Sequence, residues 1–188
     1  QGYELLNCDD HLAYHRRLGR DPADSRPDIV HQLLLTLLDS PLNKAGKLEV
    51  FVETQQRVLI QVSPQLRLPR TFKRFAGLMV QLLHKMKIRA ATSDGKTLLR
   101  VVKHPVSAHL PPGAPVYGAE VDAELAAPLD FLPSLPKGPV VFVIGAMAKG
   151  NIKSDLVQRK FTFSRYPLSA DVATARLLAA CERHWGIY

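Results

Sequence analysis

Negative charge is nearly missing from one stretch of this 188-residue chain. Between Arg67 and Lys103 stand ten Lys and Arg against a single acid, Asp94, a net charge of +9. The remainder holds fifteen basic and sixteen acidic residues, a net −1, so the overall +8 comes from one segment. A solvated Lys/Arg surface normally has acids interspersed. Their lack here points to a polyanionic partner, of which nucleic acid is the commonest.

Cysteine is scarce as well. Cys8 and Cys181 cannot form a disulfide framework or a metal pattern, so a reduced compartment is expected and both read as small buried hydrophobes. The longest apolar runs, such as Pro139–Ala148, fall far short of a membrane span, which argues against a membrane partner. Seven histidines are scattered without ligand spacing, and no Ser/His/Asp arrangement is discernible. No metal site is expected. His31 and His84 read as structural.

What is present fits one α/β domain over residues 1–188, with 40–70 as a β-rich extension. Leu5–Cys8, Leu48–Glu53, Arg57–Val62, Leu98–Lys103, Val116–Leu125 and Lys160–Phe163 read as strands. Val140–Ile144 is a continuous apolar run of the kind buried on both faces of a parallel sheet. Ile29–Leu38 reads as a helix with Asp28 near its N-cap, and Ser40–Gly46 as a turn. Leu168–His184 reads as an Ala-rich helix.

The clearest helix runs from Thr71 to about Ile88. At 100° per residue, Phe72, Phe75, Met79, Leu82, Leu83 and Met86 share one face, opposite Arg70, Arg74, Gln81, His84 and Lys85. Its entry, "RLPRTFKRF" (Arg67–Phe75), crowds cations into the turn where the helix dipole disfavours each by about 0.3–1 kcal/mol. A bound phosphate reverses that sign, because helix N-termini and Arg forks both favour anions.

Two loops suit a small ligand. Gly145-Ala-Met-Ala-Lys-Gly150 follows the apolar strand, and its glycines let the backbone approach a ligand closely. It is neither a P-loop nor a dinucleotide fingerprint, and on its own an ordinary strand–turn–helix is the stronger reading. Phe163-Ser-Arg-Tyr-Pro-Leu168 also leads from a strand into a helix. Together they suit an adenine-bearing ligand.

Four segments in order carry a resemblance: "RPDIVHQLLLTLLDSPLNKAG" (Arg26–Gly46), "RLPRTFKRFAGLMVQLLHK" (Arg67–Lys85), "FVIGAMAKG" (Phe142–Gly150) and "SRYPLSA" (Ser164–Ala170). The chain resembles, from about Tyr3 to Gly186, the ribosome-biogenesis pseudouridine N1-methyltransferases of the SPOUT superfamily. The resemblance implies an α/β knot, mostly parallel sheet flanked by helices, with the C-terminal part threaded through a loop. It implies a homodimer that binds S-adenosyl-L-methionine in the knot. The implied substrate is a pseudouridine in a small-subunit rRNA hairpin, methylated at N1, in the nucleus and nucleolus, with pre-ribosomal assembly factors as further partners.

By motif, the cofactor residues would be Ala127, Gly145, Gly150 and Phe163, Ser164, Arg165, Tyr166, Pro167 and Leu168. Ala127 precedes a stretch, Pro128–Pro139, that by the resemblance reads as shorter than in the family. Arg26, Arg67, Arg70 and Arg74 would hold RNA. Arg26 and Asp28 would stand by the target base, with Asp28 orienting Arg26; the N-cap role is its rival, and Asp28 and water are equal candidates for the base that removes the N1 proton. Two other readings stay open: an rRNA-binding assembly factor whose methyl transfer is secondary or lost, and a SPOUT enzyme acting on tRNA.

Overall fold

The computed structural model describes residues 2–91, 93 and 95–188, so Asp94 lies outside the described residues. Its first half is an antiparallel sheet with two helices on one face. Strands β1 (Val50–Glu53), β2 (Leu59–Val62), β3 (Lys87–Arg89) and β4 (Thr97–Val102) stand in the order β1-β2-β4-β3. Val50, Val62, Leu99 and Ile88 pair across the strands and so share a face. Helices α2 (Pro27–Asp39) and α4 (Phe72–Lys85) cover that face, with Leu34, Leu38, Phe75, Met79 and Leu82 completing one core. Burying a ring such as Phe75 contributes about 1.5–3 kcal/mol.

The second half is a parallel sheet of β5 (Val116–Ala119), β6 (Val141–Ile144) and β7 (Arg159–Phe161), in the order β6-β5-β7. Phe131, Phe142, Phe161, Phe163 and Tyr117 make an aromatic cluster, the Phe131 and Phe161 rings stacking at 4.8 Å. Helix α6 (Ala170–Trp185) buries Leu177, Leu178 and Cys181 against this cluster and also packs on α2, joining the halves. Smaller helices are α1 (Leu12–Arg17), α3 (Pro41–Lys44) and α5 (Pro128–Phe131). This is the mixed α/β SPOUT class expected. Among the described residues no helix is long and apolar enough to cross a membrane, and no group of acids, His and Cys is placed to hold a metal.

Several local expectations need correction. Residues 5–8 are not a strand: the Asn7 side chain caps the Asp9 and Asp10 amides and turns the chain into α1. The turn at 40–46 contains α3, because Ser40 caps the Asn43 amide at 3.1 Å. The α4 helix stops at Lys85, where Met86 adopts φ +59°, and the next three residues become β3. Leu83 and Met86, placed on the core face by periodicity, are 44% and 52% exposed. The strand read at 116–125 ends at Ala119, and β6 is a half-buried edge strand because β5, not the more apolar run, takes the centre. Cys181 is buried, which pushes its thiol up to about 12, but Cys8 is only half-buried.

Candidate functional site

Three parallel strands end side by side, and this places the site. Ala119 is level with Ile144 on one flank and with Phe161 on the other. The loops that follow, starting at Glu120, Gly145 and Thr162, therefore leave the same edge of the sheet, where ligands of α/β sheets bind. The Ala126 amide donates to the Thr162 carbonyl at 2.8 Å, which holds Ala127 next to the start of the Phe163–Leu168 loop. The structure thus brings Ala127, Gly145, Gly150 and residues 163–168 to one edge.

The residues fit close backbone approach. A Cβ on Gly145 would lie 3.2 Å from Met147 Cε, and Gly150 has φ +93°, a conformation L-residues rarely adopt. Phe163, Ser164 and Leu168 are half-buried, whereas Arg165, Tyr166 and Pro167 are exposed, Tyr166 by 78%. The Tyr166 amide is engaged within the loop, donating to Ser164 Oγ at 3.0 Å.

Two residues that sequence motifs did not single out shape this edge. Glu120, at the end of β5, has a side chain only 11% exposed; its Oε1 accepts the Ile152 amide at 2.6 Å and its Oε2 pairs with Lys160 at 2.9 Å. It fastens the Gly145–Ile152 loop to β7. Asp21 pairs with Lys149 within that loop and caps the Ala23 amide at 2.8 Å. The hydrogen bond from Lys149 holds the Asp21 carboxyl below the usual carboxylate range. No local spacing signals either contact, since the partners lie far apart in sequence.

The Asp21 contact leads to the second part of the site. Five residues on, Arg26 rather than Asp28 is the N-cap of α2, and Pro27 occupies the first turn. Asp28 instead accepts a fork from Arg26: Nε to Oδ1 at 2.8 Å and Nη2 to Oδ2 at 2.6 Å. Of its two rival roles, the orienting one is the one seen. The Arg26 hydrogen bond, ahead of burial, draws the Asp28 carboxyl below its usual range.

His31, one turn further, is buried and structural as read. Its Nε2 donates to the Pro69 carbonyl at 2.7 Å and its ring stacks on Phe75 at 4.6 Å. The Arg67–Arg74 segment is thereby tied to α2. His84 stays on the exposed face and meets the Tyr3 ring at 4.3 Å.

One of the crowded cations is not uncompensated. Arg70 pairs with Asp39 at 2.5 Å, and Lys44 approaches the same carboxylate at 3.6 Å. Asp39 sits at the C-terminal end of α2, where a carboxylate is itself disfavoured, so the pair relieves both helix ends. It is solvent-exposed and therefore weak. Arg67, Lys73 and Arg74 have no carboxylate partner among the described residues. No hydrogen bond or ion pair among those residues joins Arg67, Arg70 or Arg74 directly to the three loops.

The chain as a whole is similar to known proteins. A family model described as EMG1/NEP1 methyltransferase matches residues 1–182. The chain is 50% identical over 189 residues to the ribosomal RNA small subunit methyltransferase NEP1 of Candida albicans, covering 99% of this chain and 70% of that one. It is 49% identical over 186 residues to the enzyme of the same name from Homo sapiens, covering 98% and 75%. Among solved structures, it is similar to Archaeoglobus fulgidus Nep1 bound to S-adenosylhomocysteine, with a TM-score of 0.72 and 26% identity over 97% of this chain and 94% of that one.

Proposed function

The chain belongs to the EMG1/NEP1 methyltransferase family, and from that membership we propose that it transfers a methyl group from S-adenosylmethionine to N1 of a pseudouridine in small-subunit ribosomal RNA. The observation that carries the reading is the level ending of three parallel strands, whose loops hold the glycines and the Phe163–Leu168 backbone at one edge. S-adenosylmethionine, when bound, supplies an electrophilic methyl on a sulfonium centre. The residues present fit it: Gly150 opens its part of the loop, with no side chain against it, and Phe163 and Leu168 offer half-buried apolar surface.

The protein's share of the chemistry is placement of the attacking nitrogen. Arg26, with Nε and Nη2 engaged by Asp28, keeps Nη1 for the RNA and holds it in a fixed plane. The fork occupies both Asp28 oxygens and draws the carboxyl below its usual range, which weakens Asp28 as an acceptor of the N1 proton; water is the other acceptor. Arg67 and Arg74 grip the phosphate backbone, with Arg70 exchanging Asp39 for phosphate. By the same reading the protein is a homodimer that works in the nucleolus alongside pre-ribosomal assembly factors.

Methyl incorporation into a small-subunit hairpin carrying pseudouridine, compared with the same hairpin carrying uridine, tests the assignment. Labelling of the pseudouridine hairpin alone is expected; equal labelling of both would refute it. Replacing Arg67 and Arg74 by Ala is expected to weaken hairpin binding and lower its salt slope by roughly two, with cofactor affinity unchanged. Gly150→Ala should do the reverse. Its φ of +93° disfavours a Cβ by about 1–2 kcal/mol, so calorimetry should show roughly 10-fold weaker cofactor binding and unaltered RNA affinity.

A further inference from the structure

The β4–β3 end of the antiparallel-sheet face turned away from α4 is also basic, whereas the β1 edge of that face carries Glu49 and Glu53, and the target-hairpin site does not use this end. Register places Phe51, Gln61, Arg100 and Lys87 directly opposite one another across β1, β2, β4 and β3, alternating with the core positions. Lys87 and Arg100 are thus a like-charge cross-strand pair, an arrangement that destabilises a sheet. Neither has a carboxylate partner among the described residues. Arg100 Nε donates to the neutral Gln61 at 2.6 Å, and Gln61 in turn donates to Glu49 at 2.9 Å. Arg89, also exposed, extends the row along β3. The other end of this face is closed, with Leu59 buried and the His109 ring 5.7 Å from Phe51.

Protection of an edge strand accounts for Lys87 and Arg89, since β3 ends the sheet. It does not account for Arg100, which lies on the interior strand β4. A cation held by a neutral amide and opposed by another cation fits an anion arriving from outside. The anion cannot be the phosphates gripped at Arg67 and Arg74. Arg74 is on α4 and Arg67 on the segment that enters it; α4 packs on the opposite face, and a helix with its side chains adds about 10–12 Å to the sheet.

We infer that Lys87, Arg100 and Arg89 form a second RNA-backbone surface, which holds a duplex segment of the ribosomal RNA flanking the methylated hairpin. This rests on the RNA reading above and extends it to a surface remote from the cofactor edge. The partner is a phosphate backbone rather than a base sequence, because the charges stand together while the one ring in the row, Phe51, is two strands from Arg100 and already packed against His109.

Lys87→Glu separates this from a structural role by the sign of two effects. A Glu opposite Arg100 makes a favourable cross-strand pair, so the melting temperature should rise. Affinity for a synthetic hairpin extended by its flanking helices should fall roughly 10-fold at low salt, with a salt slope lower by one to two. Affinity for the minimal hairpin should not change. Arg100→Gln should lower only the extended-RNA affinity. If Lys87 serves only to guard the edge, Glu guards it equally well and extended-RNA affinity stays at the wild-type value; that result overturns the inference, as does equal loss on both RNAs. Methylation of the minimal hairpin in the same samples reports separately on the earlier reading.

Discussion

Asp28→Asn is expected to lower methyl transfer to the pseudouridine hairpin about 10- to 100-fold while cofactor binding is retained. The range follows from hydrogen bonds between charged groups, worth about 1.5–3 kcal/mol. Asn keeps one acceptor for the Arg26 fork but loses the charge and the second parallel bond, so the guanidinium is no longer held in plane. Arg26→Lys should be nearly as damaging, because an ammonium cannot make two parallel bonds to a carboxylate. Acid should imitate the substitution. The Asp28 carboxyl is drawn below its usual range in the folded protein, so the stabilisation from the pair is fully present above the ordinary carboxylate pKa and is lost as pH falls through the lowered folded value. Single-turnover methylation with saturating cofactor reads the effect directly. An unchanged rate for Asp28→Asn would show that the fork has no part in orienting the base.

The reading of α4 from sequence succeeded where periodicity reports burial and failed where a single backbone angle decides. Phe75, Met79 and Leu82 recur at helical spacing and are buried. Met86 continues the spacing, yet its left-handed conformation ends the helix, and no Gly or Asn marks the stop. The next residues therefore form β3, the strand that carries Lys87. The edge where the three loops leave the parallel sheet was legible through its glycines, because glycine reports a backbone requirement within a few residues. The contacts that hold the edge were not. Glu120 finds Ile152 and Lys160, Asp21 finds Lys149, and Arg70 finds Asp39, each across a separation no local pattern encodes. The charge count of the Arg67–Lys103 segment could not foresee the Arg70–Asp39 pair for the same reason: composition cannot say which cation a distant carboxylate will meet.

Glu120 is the distant contact with the largest expected consequence. Its carboxylate is 11% exposed and does two things at once, accepting the Ile152 amide and pairing with Lys160. Glu120→Ala leaves a loop amide and an ammonium without their acceptor and frees the Gly145–Ile152 loop from β7. Hydrogen bonds to a charged group are worth about 1.5–3 kcal/mol, so cofactor affinity should fall roughly 10- to 100-fold. Glu120→Gln retains an acceptor for Ile152 and should lose less. Lys160→Met alone should cost little, since Lys160 is half-exposed, and combining it with Glu120→Gln should add almost nothing if the ion pair is the term that Gln removes. The RNA affinity of all four proteins should match the wild type, because the Arg67–Arg74 segment is fastened to α2 and not to this loop. Parallel loss of RNA and cofactor binding in Glu120→Ala would mean that the residue supports the fold at large rather than the loop, and an unaltered cofactor affinity would remove it from the site.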